Sequence, residues 1–292
     1  MTGFDPDRPP AILSIQSSVA YGHAGNSAAA FPLMRMGIEV WPVLTVHFSN
    51  HTGYGAWRGP LLDPADVLEV VRGIDDRGVL GKCSALLSGY LGNGDTGRTV
   101  LAAHDLLMAR NPAAIWCCDP VMGDVGRGFF VRDDVPPMFR DVIVPRAEVM
   151  TPNHFELDYL VGRHSETLSE ILAAVDDLRD RGPHTVLVTS MVSDETDPDT
   201  VQMLAVDPEG AWVVTTPRLD AYFVGSGDVT SALFLAHLLD AGSAAPALER
   251  TAASMFGLLR RTAELGRREL ALVPAQTEFV SPTDVFVAER VR

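Results

Sequence analysis

A chain of 292 residues that is 47% hydrophobic and 21% charged can bury a large core, and no repeat or low-complexity tract points to an array. Its formal net charge of -15 repels polyanions at long range. Nucleic acid and anionic membrane are therefore not expected as partners, whereas a nucleotide stays open through a local cradle of amides and a bound cation.

The cysteines Cys83, Cys117 and Cys118 form no Cys-x-x-Cys pair, so core thiols are expected rather than disulfides or a zinc site. No apolar run reaches the roughly 20 residues of a membrane helix, and the polar, Pro-rich start lacks a signal-peptide core. A cytoplasmic protein is expected, with a flexible N-terminal segment over 1–10 and a single domain over 11–292.

In chain order, 11–15 reads as a buried strand and 25–36 as a helix stopped by Gly37. Ser17 lies between them, beyond a strand end, where open α/β sheets bind ligands; it is a candidate substrate hydroxyl or a plain turn residue. A strand over 38–48 runs into the polar loop 49–55. His47 and His51 are four apart, which suits a metal only on a helix, so no histidine metal site is expected. Asp63 and Pro64 open a helix to about 77 as N-cap and first residue.

A strand over 84–88 precedes Gly92, Gly94 and Gly97, which match Gly-x-Gly-x-x-Gly. A helix over 98–110 and a strand over 113–118 follow, the latter ending on Asp119 at roughly the offset of a ribose-binding acid, so a dinucleotide reading is formally open. Against it, Gly89, Tyr90 and Leu91 separate the strand from the first glycine, and ordinary turn glycines are the better reading. Asp119 and Asp124 place carboxylates at a strand end, which suits Mg²⁺ or an Asp-Pro turn, and 125–130 reads as a flexible glycine-rich loop.

A strand over 147–151 leads into a short helix to 161, on which Asn153 and Glu156 share one face at the same rim, although capping explains Asn153 almost as well. Thr167 and Glu170 form a capping box for a structural helix over 167–181, with Gly182 as stop. The strand 185–189 ends on the hydroxyls of Thr189 and Ser190. Segments 201–206 and 211–216 read as a β-hairpin, adding antiparallel strands to the sheet.

Gly225-Ser226-Gly227-Asp228 opens a helix with apolar residues at helical spacing from Val229 to Leu239. The turn bares main-chain amides at a positive helix end, so an anion is expected there, with Asp228 as a proton acceptor; a simple turn with Asp as N-cap is the alternative. An amphipathic helix over 247–265 follows, and 276–291 has no assigned structure. The alternation implies an α/β fold: a mostly parallel sheet with helices on both faces and some antiparallel edge strands. The chain has no P-loop, so the glycine turn would have to serve the phosphates.

Gln16-Ser17, Phe48-Ser49-Asn50-His51-Thr52-Gly53-Tyr54, Cys118-Asp119-Pro120-Val121, Thr151-Pro152-Asn153-His154-Phe155-Glu156 and the segment from Asp220 to Asp228 stand in order in one chain. On these motifs the sequence resembles the pyridoxal kinases of the ribokinase-like superfamily, from about Ile12 to at least the last long helix. The resemblance implies a homodimer that transfers the γ-phosphoryl of ATP to the 5′-hydroxymethyl of pyridoxal, pyridoxine or pyridoxamine. It implies Asp228 as general base and Gly225, Ser226 and Gly227 as the anion hole. Ser17 and Thr52 would contact the ring's polar substituents, and Val46, Phe48 and Tyr90 would shape its pocket.

By the same resemblance Asp119, Asn153 and Glu156 would hold Mg²⁺-ATP, and Thr189 and Ser190 would meet its phosphates. Asp119 with Thr151 resembles the monovalent-cation (K⁺) site, and Phe130 with the loop after Asp124 would cover the nucleotide. Ser226 stands where the family usually has Thr and keeps the hydroxyl. His47 stands where many members have Gln, which bears on the ring pocket. Thr189 stands where some bacterial members carry Lys, which shifts phosphate neutralisation towards metal ions. A kinase of another hydroxymethyl heterocycle, such as hydroxymethylpyrimidine, or of a sugar stays open on the same fold, as does a non-catalytic vitamin B6-binding protein.

Overall fold

The apolar run at Ala11 forms β1 (Ala11–Val19), which continues past the expected end at 15 and carries Ser17 on its last residues. The reason is its neighbour, β2 (Glu39–Phe48), which keeps pairing with it in parallel as far as Val19 opposite Phe48. The computed structural model describes residues 4, 5, 7, 9–221 and 223–292. Of the flexible segment expected over 1–10, residues 1–3, 6 and 8 lie outside the described residues, as does Tyr222 of the 220–228 motif.

The other strands are β3 (Cys83–Ser88), β4 (Ile115–Cys118), β5 (Gly123–Asp124), β6 (Gly128–Phe129), β7 (Val149–Met150), β8 (Thr185–Met191), β9 (Thr200–Asp207), β10 (Gly210–Pro217) and β11 (Glu289–Arg290). They form a nine-stranded sheet in the order β11-β10-β9-β8-β7-β4-β3-β1-β2, while β5 and β6 pair as a separate ribbon. From β2 to β8 every pairing is parallel, and from β8 to β11 every pairing is antiparallel. The hairpin expected over 201–216 is β9–β10, with Asp207 opposite Gly210.

Helices α1 (Asn26–Arg35), α7 (Ser226–Ala241) and α8 (Ala244–Glu264) cover one face. On the other lie α2 (Pro64–Asp76), α3 (Gly94–Arg110), α5 (His154–Val161) and α6 (Leu168–Arg179), with a single turn α4 (Val135–Pro137) running into a π-helical stretch, Met138–Ile143. Strand alternation divides the core: Leu13, Ile15, Leu86 and Trp116 pack with the α3 side, and Ile12, Ala85, Leu87 and Cys117 with the α7 side. Helix α7 is buried at every position from Val229 to His237 because it lies between the sheet and its neighbours α1 and α8. The cysteines are free and buried.

Two expectations are corrected, and the weaker reading of one glycine motif loses support. Helix α3 starts at Gly94 rather than 98, because the Asn93 side chain caps it by accepting from the Thr96 amide at 2.9 Å. The glycines of the Gly-x-Gly-x-x-Gly match serve packing, since side chains there would meet Leu61 at Gly92, Asp134 at Gly94 and Met138 at Gly97. The Gly94 amide is donated to Asp134 Oδ2 at 3.0 Å and the Thr96 amide to Asn93 Oδ1, so neither of these helix-start amides is open to a dinucleotide's phosphates. The stretch 125–130 is not an irregular loop but the turn and second strand of a ribbon, β5–β6, with Gly126 at φ 77° in the turn and Gly128 at φ 68° opening β6. The unassigned tail contributes Phe279, buried against Phe31 at 6.4 Å, and the edge strand β11 on β10.

His237 is buried within α7, and among the described residues neither ring nitrogen has a hydrogen-bond partner. Burial, then the nearby Arg250 charge, push its pKa down to about 4 against the opposing pull of Asp240. An unfolded chain binds that proton near pH 6.5, so acid favours unfolding. The neutral ring's contribution is complete above about pH 6.5 and is lost as pH falls towards 4, on the order of 3 kcal/mol. The melting temperature is expected to fall between pH 7 and pH 5, and His237→Leu should flatten that fall; an unchanged slope in the variant would assign the acid sensitivity elsewhere.

Candidate active site

The parallel strands end on one cleft of about 890 Å³, and every site residue expected from the sequence lines it. Strand order sets its axis. Val46 and Phe48 come from β2, Ser17 from β1, Tyr90 from beyond β3, and Asp119 from beyond β4. Thr151 and Asn153 follow β7, Thr189 and Ser190 end β8, and Met203 and Thr216 belong to β9 and β10. Glu156, Phe130 and Thr52 reach the wall from α5, from the residue after β6 and from the 3-10 turn Thr52–Tyr54. Gly225 to Asp228 enter from the start of α7.

Gly225 is the N-cap of α7 at φ 81°, and a Cβ there would sit on the His23 carbonyl. Among the described residues no side chain caps this helix start. The neighbouring hydroxyls turn inward instead: Ser226 donates to the Phe223 carbonyl at 3.1 Å, Thr230 to Ser226 at 2.8 Å and Ser231 to Gly227 at 3.1 Å. At Gly227 the nearest atom to a Cβ is Asp119 Oδ2, at 3.9 Å, so this residue opens towards the cleft and its carboxylates. The result is a first turn whose positive end faces ligand space.

Burial raises the Asp228 pKa to about 6, partly offset by the Gly25 amide, which donates to its carboxylate. Gly25 has φ 56°, and a Cβ there would overlap the Ser17 carbonyl and hydroxyl. One glycine thus wedges the candidate substrate hydroxyl against the candidate base.

Asp119 is 5% exposed, and burial with the nearby Glu156 and Asp228 charges pushes its pKa well up, while the Ser231 hydroxyl opposes this. Ser231 also meets Thr151, oxygen to oxygen at 2.7 Å. Glu156 is raised by burial to about 8 although its carboxylate accepts from the amides of Asn153 at 3.0 Å, Met122 at 2.8 Å and Gly123 at 3.3 Å. The Asn153 side chain accepts from the Glu156 amide and donates to the Gly123 carbonyl. The pair therefore forms a capping box and also anchors the β5–β6 ribbon at the cleft edge. Among the described residues no three His, Cys, Asp or Glu side chains form a metal cage.

At the β2 end, Phe48 packs on Trp57 with ring centroids 6.0 Å apart, Val46 is buried, and burial raises the Tyr90 hydroxyl's pKa. His47, expected to bear on this pocket, points away from it: it is exposed and lies outside the lining, because alternation along β2 turns Val46 and Phe48 inward. His51 lines the cleft, accepts from the Gly53 amide at 3.0 Å, and has its pKa lowered by burial and by Arg127. At the other end Ser190 holds φ 49° at a bulge between Val188 and Met191, a strained conformation for a side-chain-bearing residue. Above the middle, Arg127 lies over the Phe130 ring at 5.3 Å.

The sequence reading missed Arg127 and Arg218 in the lining, and the apolar wall of Met203, Ala252, Met255 and Leu259. The amphipathic period of α8 was visible, but nothing local separates residues that close the core from those that overhang it.

The family model described as phosphomethylpyrimidine kinase matches residues 81–272. The chain is 54% identical over 281 residues to the pyridoxal kinase PdxY of Rubrobacter xylanophilus, spanning 96% of this chain and 97% of that one. It is 48% identical over 297 residues to the pyridoxal kinase PdxY of Deinococcus radiodurans, spanning 100% of both. Among solved structures it is similar to pyridoxal kinase from Leishmania donovani in complex with ADP and pyridoxamine, with a TM-score of 0.88 and 28% identity over 97% of this chain and 99% of that one.

Proposed function

Because the chain belongs to the pyridoxal kinase family, we propose that it phosphorylates the 5′-hydroxymethyl group of pyridoxal, pyridoxine or pyridoxamine with ATP as donor. The observation that carries this reading is the meeting of a carboxylate of pKa about 6 with an uncapped glycine turn at the start of α7, midway along the cleft. Asp228 accepts the proton of the vitamin's hydroxyl. The freed oxygen forms its bond to the γ-phosphorus as the bond to the bridging oxygen breaks, and ADP leaves with that electron pair. The amides of the Gly225–Gly227 turn and the α7 dipole stabilise the charge on the phosphoryl oxygens.

Ser17 and Thr52 orient the ring's polar substituents between the walls formed by Val46, Phe48 and Tyr90. Thr189 and Ser190 meet the phosphates, Met203 and Met255 line the base's end, and the ribbon with Phe130 covers the nucleotide. Burial leaves Asp119 and Glu156 short of positive charge, which fits a cation. Asp119, with Glu156 and Asn153 near it, would hold Mg²⁺ shared with ATP, and Asp119 with Thr151 a K⁺ ion. When bound, the metal supplies neutralisation of the triphosphate. The reading includes a cytoplasmic homodimer, and exposed Trp57 and Leu61 supply apolar surface for a second copy.

Steady-state kinetics with ATP and a panel of acceptors tests the assignment. The three vitamers are expected to give the highest kcat/KM; a higher value for hydroxymethylpyrimidine or a sugar would move the chain to another acceptor, and no turnover on any would make it a binding protein.

A further inference from the structure

The stretch after α8 returns beneath the cleft and ties together loops that are distant in sequence. Glu269 Oε1 accepts from the Tyr54 hydroxyl at 2.7 Å, and Oε2 accepts from the His23 amide at 2.9 Å. The Glu269 main chain also bridges Val224, just before the glycine turn. Arg268 lays its guanidinium 3.9 Å from the Tyr54 ring centroid and donates to the Gly53 carbonyl at 2.9 Å. A Cβ at Gly22 would overlap the Glu269 carboxylate, so the approach is close. Neither Glu269 nor Tyr54 is among the residues lining the cleft.

Each tethered loop carries part of the site. Tyr54 and Gly53 share a 3-10 turn with Thr52, which faces the cleft. The His23 carbonyl packs closely against Gly225, leaving no room for a side chain, and Gly25, two residues on, donates to Asp228. A single carboxylate therefore sets the distance between the turn expected to hold the vitamin and the turn that carries the base.

We infer that Glu269 is a positioning residue, which locks the Thr52 turn and the Gly225–Asp228 turn in one register through Tyr54 and His23. The inference rests on the phosphoryl-transfer reading above. A charged acceptor makes both links stronger than neutral ones, and it holds Tyr54 as a donor by raising its pKa to about 12. Loosening the register separates alcohol from base without touching the β8–β10 end, where the nucleotide is placed.

The test compares Glu269→Gln, Glu269→Ala, Tyr54→Phe and the Glu269→Gln/Tyr54→Phe double variant by kcat, both KM values and melting temperature. Glu269→Gln is expected to lower kcat/KM for pyridoxal about 10-fold and Glu269→Ala about 100-fold, with KM for ATP within about twofold of wild type. Tyr54→Phe should raise KM for pyridoxal several-fold, and the double variant should fall short of the product of the single effects, because both remove one link. Equal rises in KM for pyridoxal and for ATP, a lowered melting temperature with kinetics unchanged, or independent effects in the double variant would overturn the inference. If the alanine variant does not fold, Tyr54→Phe decides. Wild-type turnover of pyridoxal tests the underlying reading separately, since the inference is judged on ratios of variant to wild type.

Discussion

Asp228→Asn is expected to lower kcat by about 10²- to 10⁴-fold while KM for ATP and pyridoxal changes little, since the amide keeps the shape of the carboxylate and loses its basicity. The wild-type acid limb should be visible too. With a pKa near 6, the carboxylate is charged at neutral pH and takes up a proton below about pH 6, so kcat/KM should fall on that side. The asparagine variant should lack this limb. The effect on stability runs the other way. A carboxyl whose folded pKa lies above its unfolded one stabilises the fold fully only below the unfolded value of 3.8, and that contribution is lost as pH rises through about 6. At neutral pH the charged side chain opposes folding, and Asn should melt no lower than Asp. Retained turnover in Asp228→Asn would remove the base assignment.

The second large effect separates two glycines of one turn. Gly227→Ala should fold, because the residue lacks positive φ, the nearest atom to the added methyl is Asp119 Oδ2 at 3.9 Å, and Ala is the better helix former. Its methyl projects towards Asp119, where phosphate oxygens are proposed to bind, so kcat/KM for ATP should drop by about 10²-fold or more. Gly225→Ala should instead fail as a fold, since its φ of 81° disfavours a side chain and the His23 carbonyl occupies the space. Thermal melting alongside kinetics reads the contrast. Full activity in Gly227→Ala, or melting losses of equal size in both variants, would show that the turn does not face the phosphates as argued.

Much of this architecture could be read from local signals. The Asp63-Pro64 helix start, the Thr167–Glu170 capping box and the β9–β10 hairpin each rest on chemistry within a few residues, and each stands where the sequence put it. The short strands β5, β6 and β11 have only two residues each, too few for alternation to register, and β11 depends on a partner far along the chain. The same divide runs through the site. Ser17, Asp119 and Asp228 were legible as candidates because strand ends and helix starts announce themselves, whereas Thr151 came from the family resemblance alone. Met255 and Leu259 were not, because an apolar residue on a helix looks alike whether it closes a core or faces a ligand. Glu269 was invisible for a plainer reason: its partners are Tyr54 and His23, more than half the chain away.

The enclosure of α7 has a bearing on turnover. A rod gripped by the sheet and by α1 and α8 over Val229 to His237 is a fixed anvil on which the Asp228 turn is mounted. In the proposed reading, closure over the nucleotide then falls to the rim, where the β5–β6 ribbon exposes Val125 and Phe129 to solvent. Stiffening that ribbon, rather than the helix, is the change that would slow the escape of products.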